Sequence, residues 1–278
     1  MTDPYAVRLD RDVVAASGPE SGTFLQGQLS QDLLALGAGQ SAWSWLLAPT
    51  GKVDALVRVT RLADDEWLLD TDSGWGDAVL TRLNRFRLRT KVALADRPWQ
   101  VVGLRGQAAG TGSGAGDQVT VGAWPGLEGV DLLGPDPALP DGWPVMATAD
   151  YEAVRIAAGI PRMGAELTDK TIPGETGLID ETVSFTKGCY TGQELVARID
   201  SRGGNVPRRL RRFLLADRVA AGADMWDGSG QKAGTLTSVA HLPSTGWVAL
   251  GYLRRGVEAT GLTADQAGAT VEVWEPPQ

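Results

Sequence analysis

The sequence predicts an α+β protein that ends in a small all-β barrel. Two patterns carry this. The first hundred residues run strand, hairpin, helix, strand, the order of an α+β unit built on an antiparallel sheet. From Met225 onward turn signals recur at short intervals, at Asp227-Gly228-Ser229-Gly230, Pro243-Ser244-Thr245-Gly246 and Gly256, which suits a barrel of short strands.

Leu9 to Val14 reads as a short, mixed strand, and Pro19-Glu20 opens a helix that turns Phe24, Leu25 and Leu29 inward. Trp43 to Leu47 is extended, Pro49 to Lys52 is a turn, and Val53 to Val59 alternates as a strand with a polar outer face. Asp64-Asp65-Glu66 breaks that strand, and Trp67-Leu68-Leu69 returns as its hairpin partner. A helix from Gly74 to Arg87 sets Val79, Leu83 and Phe86 on one stripe. Gly103 to Asp117 holds glycine at 103, 106, 110, 112, 114 and 116, without the Lys-Ser/Thr pair and helix of a phosphate loop, and reads as a flexible surface loop. Pro135 to Pro144 is a proline-rich connector. Thr182 to Phe185 alternates as a short strand. The Thr191 and Glu194 spacing is that of a capping box, so a helix is expected from Thr191 through Leu195, Val196 and Ile199. Gly234 to Ala240, Trp247 to Leu253 and Thr270 to Trp274 are the barrel strand candidates.

Composition narrows the function classes. With 278 residues and 43% hydrophobic content the chain can build real cores, and it contains no run of eighteen apolar residues to span a membrane. Met1 to Tyr5 lacks the basic start and apolar stretch of a signal peptide. A single cysteine excludes an internal disulfide and fits a reducing compartment, so a cytoplasmic location is expected. A net charge of −8 argues against a surface given over to nucleic acid. Two basic runs stand out nonetheless. One holds Lys187, Arg198, Arg202, Arg208, Arg209, Arg211 and Arg212; the other holds Arg82, Arg85, Arg87, Arg89 and Lys91. They are either two solvated faces or, if they converge, an anion-attracting surface.

The lone thiol, Cys189, lies in Lys187-Gly188-Cys189-Tyr190-Thr191-Gly192-Gln193-Glu194. A following helix N-terminus and the Lys187 ammonium both favour thiolate. The alternative is a small buried residue in a tight turn. The only histidine, His241, falls between strands of the predicted barrel, so Ser-His-Asp and Cys-His chemistry lack a base. A zinc site lacks ligands, and an iron–sulfur cluster wants about four thiolates where one is available. No metal ligand is assigned.

The octet K-G-C-Y-T-G-Q-E, continuing to Val196-Ala197-Arg198 and Arg202-Gly203, resembles the signature of the YgfZ-type folate-binding proteins, relatives of the glycine-cleavage T-protein. Three further blocks agree in order: Phe24-Leu25-Gln26-Gly27-Gln28, Arg155-Ile156-Ala157-Ala158-Gly159-Ile160-Pro161, and Ile172-Pro173-Gly174-Glu175. The resemblance spans roughly residues 5 to 255. It implies two interleaved antiparallel-sheet α+β domains, 1–47 with 145–205 and 48–144, and a C-terminal barrel over 206–278, arranged around a central channel. It also implies tetrahydrofolate as cofactor and a part in iron–sulfur cluster assembly or repair, supporting enzymes such as tRNA-modifying ones. Partners would be the assembly machinery or client iron–sulfur enzymes, with no membrane and no direct nucleic-acid contact.

Under that resemblance Cys189 and Lys187 are the reactive pair, and Glu175, Asp54, Arg198, Arg202, Gln193 and Tyr190 are candidate folate contacts. A carboxylate suits the adjacent donors of the pterin ring, and arginine suits the anionic tail. One departure stands against transferase activity. T-proteins resemble one another in a paired Asp-Asp, and here the sequence is Asp54-Ala55. The alternative functions are a folate-dependent aminomethyltransferase and, through Arg202 to Arg212, a tRNA contact.

Overall fold

The computed structural model describes residues 3–106, 118–264 and 268–274. The chain divides into two compact units, Met1–Thr148 with Leu178–Ala197, and Ala149–Gly177 with Arg198–Gln278. No described helix is long and apolar enough to cross a membrane.

The first unit holds two five-stranded sheets. One has the order β10 (Val145–Met146), β1 (Tyr5–Leu9), β7 (Gln100–Arg105), β9 (Gly129–Gly134), β8 (Val119–Gly122). It is antiparallel except for the two-residue β10, which runs parallel to β1. The other is wholly antiparallel, in the order β3 (Ser41–Leu47), β4 (Val53–Ala63), β5 (Glu66–Asp72), β2 (Arg11–Ser17), β6 (Ala93–Arg97). The short strand expected over Leu9 to Val14 is thus two strands in different sheets, divided at Asp10. The border expected at 47/48 falls within the β3–β4 hairpin, whose ladder pairs Leu47 with Val53 and Ser41 with Thr60.

Helices α1 (Ser21–Gln28) and α2 (Gly76–Arg87) pack on the second sheet, with Phe24, Leu25, Val79 and Leu83 buried as their stripes predict. Its other face meets the first sheet through Val13, Leu68, Val101, Val121 and Leu133. The polar face expected for β4 is therefore not solvated. Arg58 is 1% exposed and is held by Asp70 of β5 and Asp131 of β9. Arg11 completes the group from β2 and Arg105 from β7. Gly103 is a mid-strand residue of β7: a Cβ there would lie 2.8 Å from the Arg105 guanidinium, so its lack of a side chain makes room for that charge. The rest of the glycine-rich stretch, from 107 to 117, lies outside the described residues.

The second unit is a closed six-stranded barrel. Its order is β11 (Arg208–Leu215), β14 (Gly246–Arg254), β13 (Lys232–Leu242), β12 (Asp224–Trp226), β15 (Leu262–Ala264), β16 (Ala269–Val273), and β16 pairs back onto β11. Phe213, Leu236, Ala249, Leu262 and Val271 fill it. His241 lies on β13 rather than between strands, with its ring edge-on to Trp247. Helix α3 (Thr148–Ala157) brings Ile156 against Leu210, Val248, Leu250 and Tyr252 on the outside of the barrel. Glu166, 1% exposed, fastens this segment. It accepts from Arg155, from the Arg162 amide and from the hydroxyls of Thr237 and Ser238.

Candidate functional site

Cys189 is exposed, on the segment between α4 (Ile179–Thr182) and α5 (Gln193–Ser201). Two local expectations change here. Thr182 closes α4 and Val183 to Phe185 pair with no strand, because four alternating residues are too few to outweigh a helical turn. Helix α5 begins at Gln193, two residues later than the capping-box spacing placed it. Gly192 takes φ +83°, a conformation that interrupts the helix, so Thr191 and Glu194 form no capping box. Gln193 instead accepts from the Tyr190 amide at 3.1 Å.

Lys187 is half-buried and its ammonium donates to three backbone carbonyls, Gln26 at 2.6 Å, Leu29 at 2.6 Å and Gln31 at 3.0 Å. An ammonium has three N–H donors, and all three are used. Burial pushes Lys187 down to about 8, with Asp32 acting in the opposite direction, so the group is mostly charged at neutral pH. The carbonyls it meets lie in and just after the last turn of α1, where a cation is favoured and orphan acceptors need donors. Tyr190 is buried under the same ammonium, 5.2 Å from its ring centroid, and burial pushes its hydroxyl up to about 12.

The loop is seated twice more. The Thr191 amide donates to the Gly27 carbonyl at 3.1 Å. Gly192 packs on the β3–β4 turn so closely that a Cβ would lie 2.6 Å from the Ala48 carbonyl oxygen, and Gly51 of that turn meets Leu195 in the same way. The thiol octet, the F-L-Q-G-Q block and the Pro49 to Lys52 turn therefore form one cluster, although up to 161 residues separate their members.

Asp54 lies at the start of β4 in the same unit, bound by Arg82 of α2 at 3.0 Å. Burial raises its carboxyl and the guanidinium opposes this, leaving a net upward shift. Arg82 also reaches Gln28 and the Leu47 carbonyl, so one member of the second basic run is a crosslink, not a solvated charge. Ala55 is 1% exposed. Glu175, Arg198 and Arg202 belong to the second unit. Glu175, at the end of a 3₁₀ turn (Pro173–Glu175), is 4% exposed and meets Arg208 of β11 through both oxygens at 3.2 Å. Arg208 stacks over Tyr252, 4.0 Å from the ring centroid. Arg198 and Arg202 are exposed. Sequence reading did not find Arg82 and Arg208 as the partners of Asp54 and Glu175. They stand 28 and 33 residues away, with no local pattern linking each pair.

No family model matches the chain. The tRNA-modifying protein YgfZ of Enterobacter sp. (strain 638) is 30% identical over 265 residues, covering 84% of this chain and 80% of that protein. The chain belongs to the YgfZ family. The human mitochondrial iron–sulfur cluster assembly factor IBA57 is likewise 30% identical, over 82% of the chain and 72% of its own length. An aminomethyltransferase of Corynebacterium jeikeium is 26% identical over 94% of the chain and 80% of that enzyme. The fold is that of the glycine cleavage system aminomethyltransferase T from Bartonella henselae. That structure matches with a TM-score of 0.83 over 98% of this chain and 85% of its own, at 20% identity. YgfZ-family membership and this fold agree with the α+β sheets and terminal barrel read from the sequence.

Proposed function

We propose that the protein is a tetrahydrofolate-binding accessory factor in iron–sulfur cluster assembly or repair, supporting enzymes such as tRNA-modifying ones. The observation that carries this reading is the exposed Cys189 on a loop seated by the half-buried Lys187 and its three bonds, in a chain whose relatives are named for tRNA modification and iron–sulfur cluster assembly. One thiol is one of about four ligands a cluster needs, so Cys189 acts transiently on a cluster, a persulfide or a partner. Clients and assembly proteins are the partners this implies.

Folate, when bound, offers pterin nitrogens that donate to a carboxylate and a tail that seeks cations. Glu175 is the carboxylate candidate for that chemistry: it has about four acceptor positions, of which the Arg208 fork takes two and the Ile172 amide, at 3.4 Å, a third. The exposed Arg198 and Arg202 suit the tail, and Gln193 and Tyr190 offer polar and aromatic contact. Asp54 is the remaining candidate contact. Its engagement with Arg82, beside a buried Ala55, speaks against the transferase alternative, because no second carboxylate stands at the strand start.

Cys189→Ala is expected to abolish complementation of an iron–sulfur enzyme defect while leaving tetrahydrofolate affinity, read by tryptophan fluorescence and calorimetry, unchanged. Full activity in that variant discards the thiol's role, and absence of calorimetric binding discards the folate. Turnover with an aminomethyl-lipoyl donor would reinstate the transferase.

A further inference from the structure

Lys187 stands two residues from the thiol, which invites the reading of an activating charge. Its bonds point elsewhere. All three ammonium donors end on carbonyls of residues 26 to 31, and nothing remains of them for Cys189. Those carbonyls belong to a segment that is itself fixed. The Ser30 amide donates to the Trp45 carbonyl, the Gln31 amide to the Ser44 hydroxyl, and the Leu33 amide to the Gln26 side chain. The Ser184 amide meets the Ser30 carbonyl and the Thr191 amide meets the Gly27 carbonyl, so the thiol loop is tied to this segment on both sides of Cys189.

We infer that Lys187 is a positioning residue: its ammonium is the pin that fixes the Cys189 loop to the α1 segment, and it does not activate the thiol. The inference deepens the proposed function and rests on Cys189 being the reacting group. A neutral side chain at this position leaves three converging carbonyl oxygens without donors, and their mutual repulsion opens the loop. A lost activating charge would act otherwise, by raising the pH at which the thiol ionises.

Two readouts on Lys187→Met separate these roles. Amide hydrogen exchange at Leu29, Ser30, Gln31 and Thr191 is expected to quicken by about tenfold or more while β4 and β5 stay protected, as local opening requires. The pH midpoint of Cys189 alkylation by iodoacetamide is expected to stay where it is in the unaltered chain. A rise of about half a unit or more overturns the inference, because a nearby cation shifts a titration by that amount or more. Unchanged exchange overturns it, and so does a uniform rise across β4 and β5, which would mark a merely global effect. Should Lys187→Met fail to fold, Lys187→Gln supplies an uncharged side chain with two of the three donors. It is then held to the same midpoint, with exchange at the four amides about threefold faster or more. These measurements make no use of complementation, so a failed role for Cys189 and a failed role for Lys187 give different results.

Discussion

Removing Arg58 tests how the two sheets of the first unit are joined. Arg58, Arg11 and Arg105 face Asp70, Asp72 and Asp131, three charges of each sign, in the interface between the sheets. The Arg58 Nε lies 2.9 Å from Asp70, and its Nη1 bonds both Asp131 and the Gly122 carbonyl. Arg58→Met leaves two buried carboxylates with one cation fewer, a change that costs about 3–5 kcal/mol when a buried pair is broken. Arg11 still holds Asp70 and Arg105 still holds Asp131 at 2.8 Å, so the lower end, about 3 kcal/mol, is expected. In urea this moves the midpoint down by about 1–2 M. Trp43 reports the event directly, since Arg58 stacks 5.4 Å from its ring. Adding Asp131→Asn restores charge balance and is expected to recover at least about 1 kcal/mol of the loss. A loss below about 1 kcal/mol for Arg58→Met, or no recovery in the double variant, refutes the argument that these charges join the sheets.

Acid provides a second check on the same group. Burial alone would raise the Asp131 carboxyl, but Arg58 and Arg105 more than reverse this and hold it below the usual range. Its contribution is therefore complete above about pH 3.9 and is lost as pH falls through the lower folded value. The urea midpoint is expected to drop more between pH 5 and pH 2.5 in the unaltered chain than in the Asp131→Asn variant. At the thiol loop, Gly192→Ala combines a positive φ with a Cβ 2.6 Å from the Ala48 carbonyl and is expected to cost about 2 kcal/mol or more. Gly203→Ala, also at positive φ but with nothing within 4 Å, is expected to cost about 1 kcal/mol in the same melt. In the second unit, Glu166→Ala strips Arg155 of one carboxylate and three other donors of their acceptor. A loss of about 3 kcal/mol or more is expected in the unfolding of the barrel.

Much of the fold was legible because period and turn chemistry act locally. The β4–β5 hairpin, α1, α2 and the strands around Trp247 and Val271 sit where alternation and turns placed them. What failed was decided at a distance. Arg208 to Arg212 reads as a basic run, yet it lies in strand β11, whose own Leu210, Phe213 and Leu215 are buried, and Arg208 and Arg212 bond Glu175 and the Ala157 carbonyl. Arg58 looked like a solvated strand face because the covering sheet is drawn from distant parts of the chain, its partner Asp131 standing 73 residues later. The same holds at the candidate site. Its octet announces itself, but the purpose of Lys187 is visible only once α1 supplies the carbonyls, and the capping-box pattern misleads because Gly192 breaks the helix first.

The wide sequence gap across that pin has a consequence for how the molecule is made. In a growing chain the α1 carbonyls come first, and the lysine that satisfies them emerges some 160 residues later. Until then no ammonium is there to draw the segment around Gln26 to Gln31 together. Closing so long a span adds little extra entropy cost once both ends exist, since that cost grows only logarithmically. The Cys189 loop is thus seated only after Lys187 has emerged, and products truncated before that residue carry an unfinished seat and no thiol.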